Sequence, residues 1–582
     1  MNGVLTRVAG RLRDRYDVVA GISRLLALAC LVGLVGVLPW LSGKDPALTI
    51  LRATSSDREP TPEVLASIRK SIGIDGGPLH VIGHWLAGVA RGDLGRSWVS
   101  GADVGPDAVD AFGVSLSLMA AALGVGVVVA AALVLPALRD GLRGRPRPRG
   151  GAASAVLISL PEYLLAPILM LVLAVYLRIL PPFGWGSPEK VIMPALSLGL
   201  PTGGYLGGLV SDAVTATFSE RWVATWSTAG IRGRTLAGAV LRRALAPLTG
   251  QVALVVVALT GGAVAVEKIF AIPGLGRELL DAASAQDVPA LQAQILLLLA
   301  LALTTGVIAG AVRRLLMGRA AGAGGLTAPP PVEHPGRAAR VIAVSGAALL
   351  VLMVAVGIRR DPYAVVADKL AQPSAALPLG ADSLGRDVLA RVAHGAVSTV
   401  SGAVIVTVVC FVIAILVGLA PRAATGFIEV ANAAPPILAG LIVAGVSGPS
   451  ATGAAIAVAG VGWAPLASHA AGLVAENRQR PDVLLAPVLG EGRLRITLTR
   501  VLPAVVGPLA RHAALRLPGK ALALAALGFL GLGAQSPAPE WGLVLSDALP
   551  YIERAPWAVA TPAAALVVLS ITSVAASRSM RR

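Results

Sequence analysis

The chain alternates long apolar runs with short polar segments. One set of runs lies near 24–41, 113–138, 152–177, 192–215, 248–268 and 291–312, and a second near 341–358, 396–419, 426–447, 451–475, 504–528 and 557–577. Each is as long as a helix needs to cross a bilayer, roughly 17–25 residues. Their apolar positions are continuous rather than alternating, which predicts helices and not the strands of a barrel. Between the sets, "MGRAAGAGGLTAPPPVEHPGRAAR" at 317–340 is rich in Gly, Ala and Pro and carries no hydrophobic period. It reads as a linker. The pattern predicts an all-α integral membrane protein with about twelve transmembrane helices in two six-helix halves, 1–316 and 341–582.

Counting crossings from a cytoplasmic N-terminus puts 42–112, 178–191, 269–290, 359–395 and 529–556 outside. It puts 139–150, 216–247, the linker, 476–503 and the C-terminus inside. The arginines follow this order. Five lie in the N-terminal tail (Arg7, Arg11, Arg13, Arg15, Arg24), five in "RDGLRGRPRPRG" at 139–150, and "RSMRR" closes the chain. Basic segments stay on the cytoplasmic side. The expectation is a multi-pass protein of a bacterial cell membrane with both termini in the cytoplasm.

Composition sharpens the class. The chain is 55% hydrophobic and only 14% charged, with mean hydropathy +0.77. Soluble domains carry about 25% charged residues. A net charge of +17 in a soluble protein would suggest nucleic acid; here the positive-inside rule accounts for it, and no nucleic-acid partner is expected. Cys30 and Cys410 both fall inside apolar runs and form no spacing motif, so neither a metal site nor a disulfide framework follows. The run Leu25–Leu41 has no small-residue cleavage site after it, unlike a secretory signal.

No phosphate-binding G-x-x-x-x-G-K-[ST], no H-E-x-x-H and no G-x-S-x-G on a strand occurs. His80 and His84 form an i, i+4 pair without a third ligand nearby, and two surface histidines on an amphipathic helix are the plain reading. Neither a catalytic nor a cofactor site is expected in this chain.

The polar segments between runs are patterned. "SERWVATWSTAGIRGRTLAGAVLRRALAPL" at 219–248 and "ENRQRPDVLLAPVLGEGRLRITLTRVLPAV" at 476–505 are each basic, broken at a glycine (Gly230, Gly490), and returned to the membrane through a proline (Pro247, Pro503). Glycine ends a helix because it tolerates left-handed angles. A short helix across the cytoplasmic face suits the groove of a soluble partner; a plain basic connector is the alternative. Outside, 63–97 and 377–398 are compact and turn-rich. "EKIFAIPGLGRELLDAASAQDVPALQ" at 267–292 sets a tight Pro273-Gly274-Leu275-Gly276 corner between two runs. Glu162, in "ISLPEYLLAP", lies about ten residues into its run, near mid-bilayer at about 1.5 Å per residue. An intramembrane carboxylate points to a pathway or to a structural pair.

Three of these stretches, "TPEVLASIRKSIGID", "GDLGRSW" and the corner sequence above, resemble the first permease subunit of the dipeptide/oligopeptide/nickel class of ABC importers. In the second half, "LPLGADSLGRDVLARVAHGA", "VLGEGRLRITLTRVLP" and "LGFLGLGAQSPAPEWGLVLSDA" resemble the second permease subunit. The chain looks like both subunits fused, covering nearly its whole length. The resemblance implies a type I importer permease with ATP and Mg bound by separate ATPase subunits, and a solute-binding protein docking outside. It implies that the cytoplasmic segments are coupling helices, with Thr225, Trp226, Ser227 and Gly230 in the first half. Leu484, Leu485, Ala486, Gly490, Leu502 and Pro503 are their counterparts in the second. The family's usual Glu-Ala-Ala before the glycine is missing, which favours apolar contacts with the ATPase. Leu524 stands where the second subunit commonly has a glutamate. At the outer face the resemblance implies that Glu267, Pro273, Gly274, Gly276, Arg277, Asp281 and Asp287 shape the mouth where the binding protein sits; stabilising the helix bundle is the alternative. Glu162 becomes a candidate for the pathway.

The expected function is a permease for a solute, of the di- or oligopeptide class first, working by alternating access. The rival is a twelve-span secondary transporter, since "LRDGLRGRPRPRG" at 138–150 faintly echoes a facilitator loop. A membrane-embedded enzyme lacks any convergent His, Asp or Ser cluster. The permease sequence does not name the solute.

Overall fold

The computed structural model describes residues 77–146, 151–317 and 337–580 apart from positions 159, 286 and 420, together with 59–71, 46–54 and a few positions between 23 and 35. Much of the expected first span, most of the linker and the N-terminal basic tail fall outside the described residues. The rest is helical: the only strand-like pairings among the described residues are three isolated bridges, Arg96 with Asp103, Val365 with Arg386 and Ala381 with Asp387. Among the described residues, eight helices are long and apolar enough to cross a membrane, or nine with the pair broken near Ala434 and Pro435.

Three expected spans differ from the expectation: the run 192–215 is one helix, Pro188–Phe218, that is not among those eight, and two other runs are broken. The run 152–177 is not one helix. It breaks after Gly151–Ile158 and resumes as Glu162–Leu169 and a wide turn Met170–Tyr176. Pro161 and Pro167 supply no N–H to an α ladder, so the backbone cannot run straight through. Glu162 therefore starts a short helix rather than sitting inside a long one. The run 426–447 likewise divides into Pro421–Ala433 and Pro436–Ser447 at Pro435.

Contacts divide the chain into two compact units. One comprises 1–105, 282–292 and 397–538; the other comprises 106–281, 293–396 and 539–582.

In the second unit, the helix Pro188–Phe218 is a close-packing rail. A Cβ on Gly199 would lie 2.6 Å from Ala122 O and Val125 Cβ, and one on Gly203 would lie 2.6 Å from Val129 Cβ. The four-residue glycine spacing puts these positions on one face, letting the backbones touch as small residues do between membrane helices. At its end, Val134, Val214, Phe218, Val223, Leu236, Val240 and Ala244 form a buried apolar cluster. In the first unit, Leu502–Leu530 packs against Pro436–Ser447, Ala451–Gly462 and Ala464–Arg478.

Candidate functional site

The two glycine-broken segments fold into the same hairpin. In the first, Arg221–Thr228 is a helix closed by Gly230 at φ +83°. The Ile231 N–H donates to Trp226 O at 2.9 Å and the Gly230 N–H to Ser227 O at 3.2 Å. In the second, Pro481–Leu485 is followed by Gly490 at φ +81°. The Glu491 N–H donates to Ala486 O at 3.1 Å and the Gly490 N–H to Pro487 O at 3.1 Å. Both are Schellman closures, which need a left-handed residue at the glycine. Each hairpin leads into a helix of 38 residues, Gly233–Phe270 and Arg493–Leu530.

Each hairpin is anchored on one side. Val223 and Val483 are buried at equivalent positions, both 6% exposed. Arg243 holds Glu220 at 3.2 Å, and Arg500 holds Glu491 at 2.5 Å. That hydrogen bond from Arg500 outweighs desolvation and holds the Glu491 carboxyl below its ordinary value. Trp226 is half-buried on the apolar cluster and meets Trp222 edge-on, with ring centroids 5.3 Å apart. Ser227 is half-buried and Ala486 fully buried.

The opposite faces differ. Aligned on the closing glycine, Ala224, Thr225, Thr228 and Ala229 of the first hairpin are exposed. Leu484, Leu485, Val488 and Leu489 occupy those positions in the second, 58–81% exposed. Leu502 and Pro503 are not part of the hairpin; they open the helix Leu502–Leu530.

The outer corner is built around Glu267. The helix Thr249–Phe270 ends at left-handed Ala271, φ 54°, and the chain folds back so that the Glu267 carboxylate enters the Pro273–Gly276 turn. Its Oε1 accepts from Ser115 Oγ at 2.5 Å and its Oε2 from the Arg277 N–H at 3.0 Å. The Leu275 N–H donates to the same Ser115 Oγ at 2.8 Å. A Cβ on Gly274 would sit 2.5 Å from both carboxylate oxygens. One on Gly276 would sit 2.8 Å from Val264 Cα and 2.9 Å from Oε2. Both glycines are therefore required by the carboxylate's position. Glu267 is fully buried, so it is a clasp within the fold and not a surface group. Pro273 and Asp281 are exposed, and Arg277 is half-buried.

Asp287 is also turned inward, 5% exposed. It accepts from Ser97 Oγ and, at 3.1 Å, from the Trp98 N–H. It thereby ties "GDLGRSW" to the start of Val288–Met317. Glu278 is half-buried beside Asp107, Asp281 and Asp110. Burial first, and those like charges second, push its pKa up to about 7, against a hydrogen bond with Gln294.

A third clasp lies in 377–398. Arg391, 1% exposed, is held by Asp382 at 2.7 Å and Asp547 at 3.3 Å. Arg386 meets Asp382 at 2.7 Å, and Arg360 meets Asp387 at 2.7 Å. Burial works against the Asp382 charge. The N–H groups of Arg386 and Leu384, the Arg386 side chain and Arg391 outweigh it and hold the pKa below the ordinary value.

Glu162, half-buried, faces the helix Thr249–Phe270: a Cβ on Gly262 would sit 2.8 Å from its Oε1. Gly262 leaves the room the carboxylate occupies.

The model of the binding-protein-dependent transport system inner membrane component matches this chain twice, at residues 151–321 and 411–580. The two matches span more than half of the sequence. The chain belongs to this family. It is a multi-pass inner-membrane permease of the ABC-importer kind carrying both family domains in one polypeptide. A permease of this kind is not itself catalytic; ATPase activity sits in separate subunits. The permease is 36% identical over 202 residues to the peptide transport system permease protein SapC of Escherichia coli O6:H1, covering 33% of this chain and 67% of that one. It is 35% identical over 204 residues to the di/tripeptide transport system permease protein DppC of Pseudomonas aeruginosa, covering 34% and 67%. It is 32% identical over 286 residues to the glutathione transport system permease protein GsiC of Salmonella choleraesuis, covering 47% and 88%.

Several residues of the permease escaped the sequence reading. Ser115, Ser97 and Asp547 bond to groups more than 150 positions away, and nothing local marks them. Val488 and Leu489 were legible as apolar residues beside a glycine in a basic segment.

Proposed function

We propose that this permease forms the translocation path of an importer for a peptide-class solute, delivered by a binding protein outside the membrane and driven by ATPase subunits on the cytoplasmic side. The observation that carries the coupling role is the repeated hairpin: in each half the same glycine-closed corner is anchored by one buried valine and precedes a 38-residue helix. A displacement applied to such a corner passes through one narrow turn, Ala246–Leu248, or one wide turn, Thr497–Val501, into the helix Thr249–Phe270 or Leu502–Leu530, because packed helices move as rigid elements. The exposed faces, with Thr225 in the first hairpin and Leu484 and Leu485 in the second, are the ATPase contacts. Trp226, Ser227 and Ala486 are their anchors, and Gly230 and Gly490 are their corners. Leu502 and Pro503 start the helix that receives the movement.

On the outer side, the clasp of Glu267 holds its corner rigid, and the exposed Pro273 and Asp281 of that corner face the binding protein; the clasp of Asp287 separately stiffens "GDLGRSW". Glu162 lies on the path. Both termini are cytoplasmic. ATP with Mg belongs to the ATPase subunits. Their closure on ATP turns the path outward to receive solute, and hydrolysis resets it. The peptide class is supported by the names of the relatives SapC and DppC.

The test is a mild-detergent pull-down of the tagged chain from its native membrane, followed by uptake in inverted and right-side-out vesicles. Recovery of an ATPase and a binding protein, with uptake that needs ATP, is the expected result. Recovery of the chain alone across several detergents, with uptake driven by an ion gradient, would overturn the reading.

A further inference from the structure

The two hairpins share one burial pattern. Aligned on Gly230 and Gly490, Val223 matches Val483 and Leu236 matches Ile496, and all four are buried. The outward positions match as well. Ala224, Thr225, Thr228 and Ala229 stand where Leu484, Leu485, Val488 and Leu489 stand, and Arg234 where Leu494 stands, all of them exposed. The buried residues thus agree in kind between the hairpins and the exposed ones do not. The fold constrains the buried positions, so it accounts for their agreement. What distinguishes the exposed positions lies outside the hairpin.

The second face is an apolar knob. Its five side chains are 58–81% exposed. Charged groups rim it: Arg480 with Asp482 at 3.2 Å, Glu491 with Arg500 at 2.5 Å, and the exposed Arg493 and Arg495. An apolar patch with a polar rim marks a protein interface. A lipid surface is the poorer occupant. Segments that lie on lipid carry an amphipathic helix with a basic face, or a cluster of four or more basic residues. Here the helix has five residues, and Asp482 and Glu491 interrupt the arginines.

We propose that the permease holds its ATPase unequally. The second hairpin is the anchor, its knob filling an apolar cleft of the ATPase. The first hairpin is a lighter, polar contact with a cleft of different chemistry. This rests on the importer reading and deepens it by giving each hairpin its own socket. Burying one Leu or Val side chain favours association by about tenfold or more, and Ala and Thr offer no comparable apolar area. The first hairpin presents Arg232 and Arg234 beside its small residues, both exposed. Salt screens a contact of that kind and leaves apolar burial intact. Two clefts of identical lining would not complement both faces.

The test reads both faces in inside-out vesicles of the native membrane. The full chain with Cys30→Ser and Cys410→Ala carries one reporter, Leu489→Cys or its counterpart Ala229→Cys. Val488→Cys and Thr228→Cys form a second pair if either variant folds poorly. The rate of alkylation by a membrane-impermeant maleimide is divided by the rate for the same variant purified in detergent. The second-face reporter is expected to be protected at least about tenfold, as a central interface contact is. That protection persists at about 1 M salt, where the screening length is about 3 Å. The first-face reporter is expected to be protected less and to lose its protection in that salt. A benzophenone maleimide on Leu489→Cys is expected to photo-crosslink to a chain bearing G-x-x-x-x-G-K-[ST]. No protection of the second face, equal protection and equal salt response at the two faces, or a crosslink to lipid or to residues 317–340 of this chain overturns the proposal. Equal faces together with ATP-driven uptake refute the unequal sockets alone, whereas uptake driven by an ion gradient refutes the importer reading itself.

Discussion

Gly274→Ala places a methyl group 2.5 Å from both oxygens of the Glu267 carboxylate, where ordinary contact begins at 3.4 Å. The carboxylate carbon is nearer still, at 2.3 Å, so the group must retreat by 3.4 − 2.3 = 1.1 Å. A shift of that size takes the bond from the Arg277 N–H from 3.0 Å to about 4.1 Å, beyond hydrogen-bond range. The bond from Ser115 starts at 2.5 Å and weakens by the same movement. Glu267 is fully buried, so no water replaces the lost donors. Hydrogen bonds to a charged group contribute about 1.5–3 kcal/mol each, which puts the cost of losing two at about 3–6 kcal/mol. The assay is unfolding of the purified full chain in mixed micelles by titration with SDS, in a double-mutant cycle with Glu267→Ala. Without the carboxylate the methyl group has room, so in that background Gly274→Ala is expected to cost under about 1 kcal/mol. An unchanged stability of the single variant refutes the clasp. An equal loss in both backgrounds shows that the glycine serves backbone angles instead.

Other outcomes follow from the same geometry. Glu278 has a folded pKa of about 7 against an ordinary 4.5. A raised carboxyl pKa stabilises the fold fully below pH 4.5, and that contribution fades as pH rises through about 7. Wild type is therefore expected to lose stability across that window relative to Glu278→Gln, and parallel pH profiles would count against it. Asp382→Asn leaves the buried Arg391 with only the longer contact to Asp547. Breaking such a pair is expected to destabilise by about 3–5 kcal/mol, seen as a lower melting temperature in detergent that Arg391→Met partly restores. Leu484→Glu with Leu485→Glu alters two residues that are 61% and 58% exposed, so folding is expected to be unchanged while ATP-driven uptake falls at least about tenfold. Normal uptake would remove this hairpin from the coupling role.

The hydropathy pattern reached most of the helical skeleton, because a membrane span is specified by its own residues: apolar length and satisfied backbone bonds are local properties. Where it erred, at 152–177 and 426–447, prolines inside an apolar run were read as continuous helix. The two hairpins were legible at their glycines, since a left-handed closing residue is a local requirement. Their exposed faces were legible only in part, because burial of Trp226 and Ala486 depends on what lies beneath them.

By itself the sequence determined an all-helical membrane chain, two matching halves, and a tight glycine corner after Glu267. The tertiary structure decided what those glycines are for. Gly274 and Gly276 make room for a carboxylate whose donor, Ser115, lies 152 positions away. Asp287 faces inward because Ser97 is there to meet it, and Arg391 is bearable in the interior because Asp382 and Asp547 reach it. Backbone preferences are set by near neighbours in the chain, whereas a buried charge is stabilised by whichever groups the packing of distant helices brings within about 3 Å.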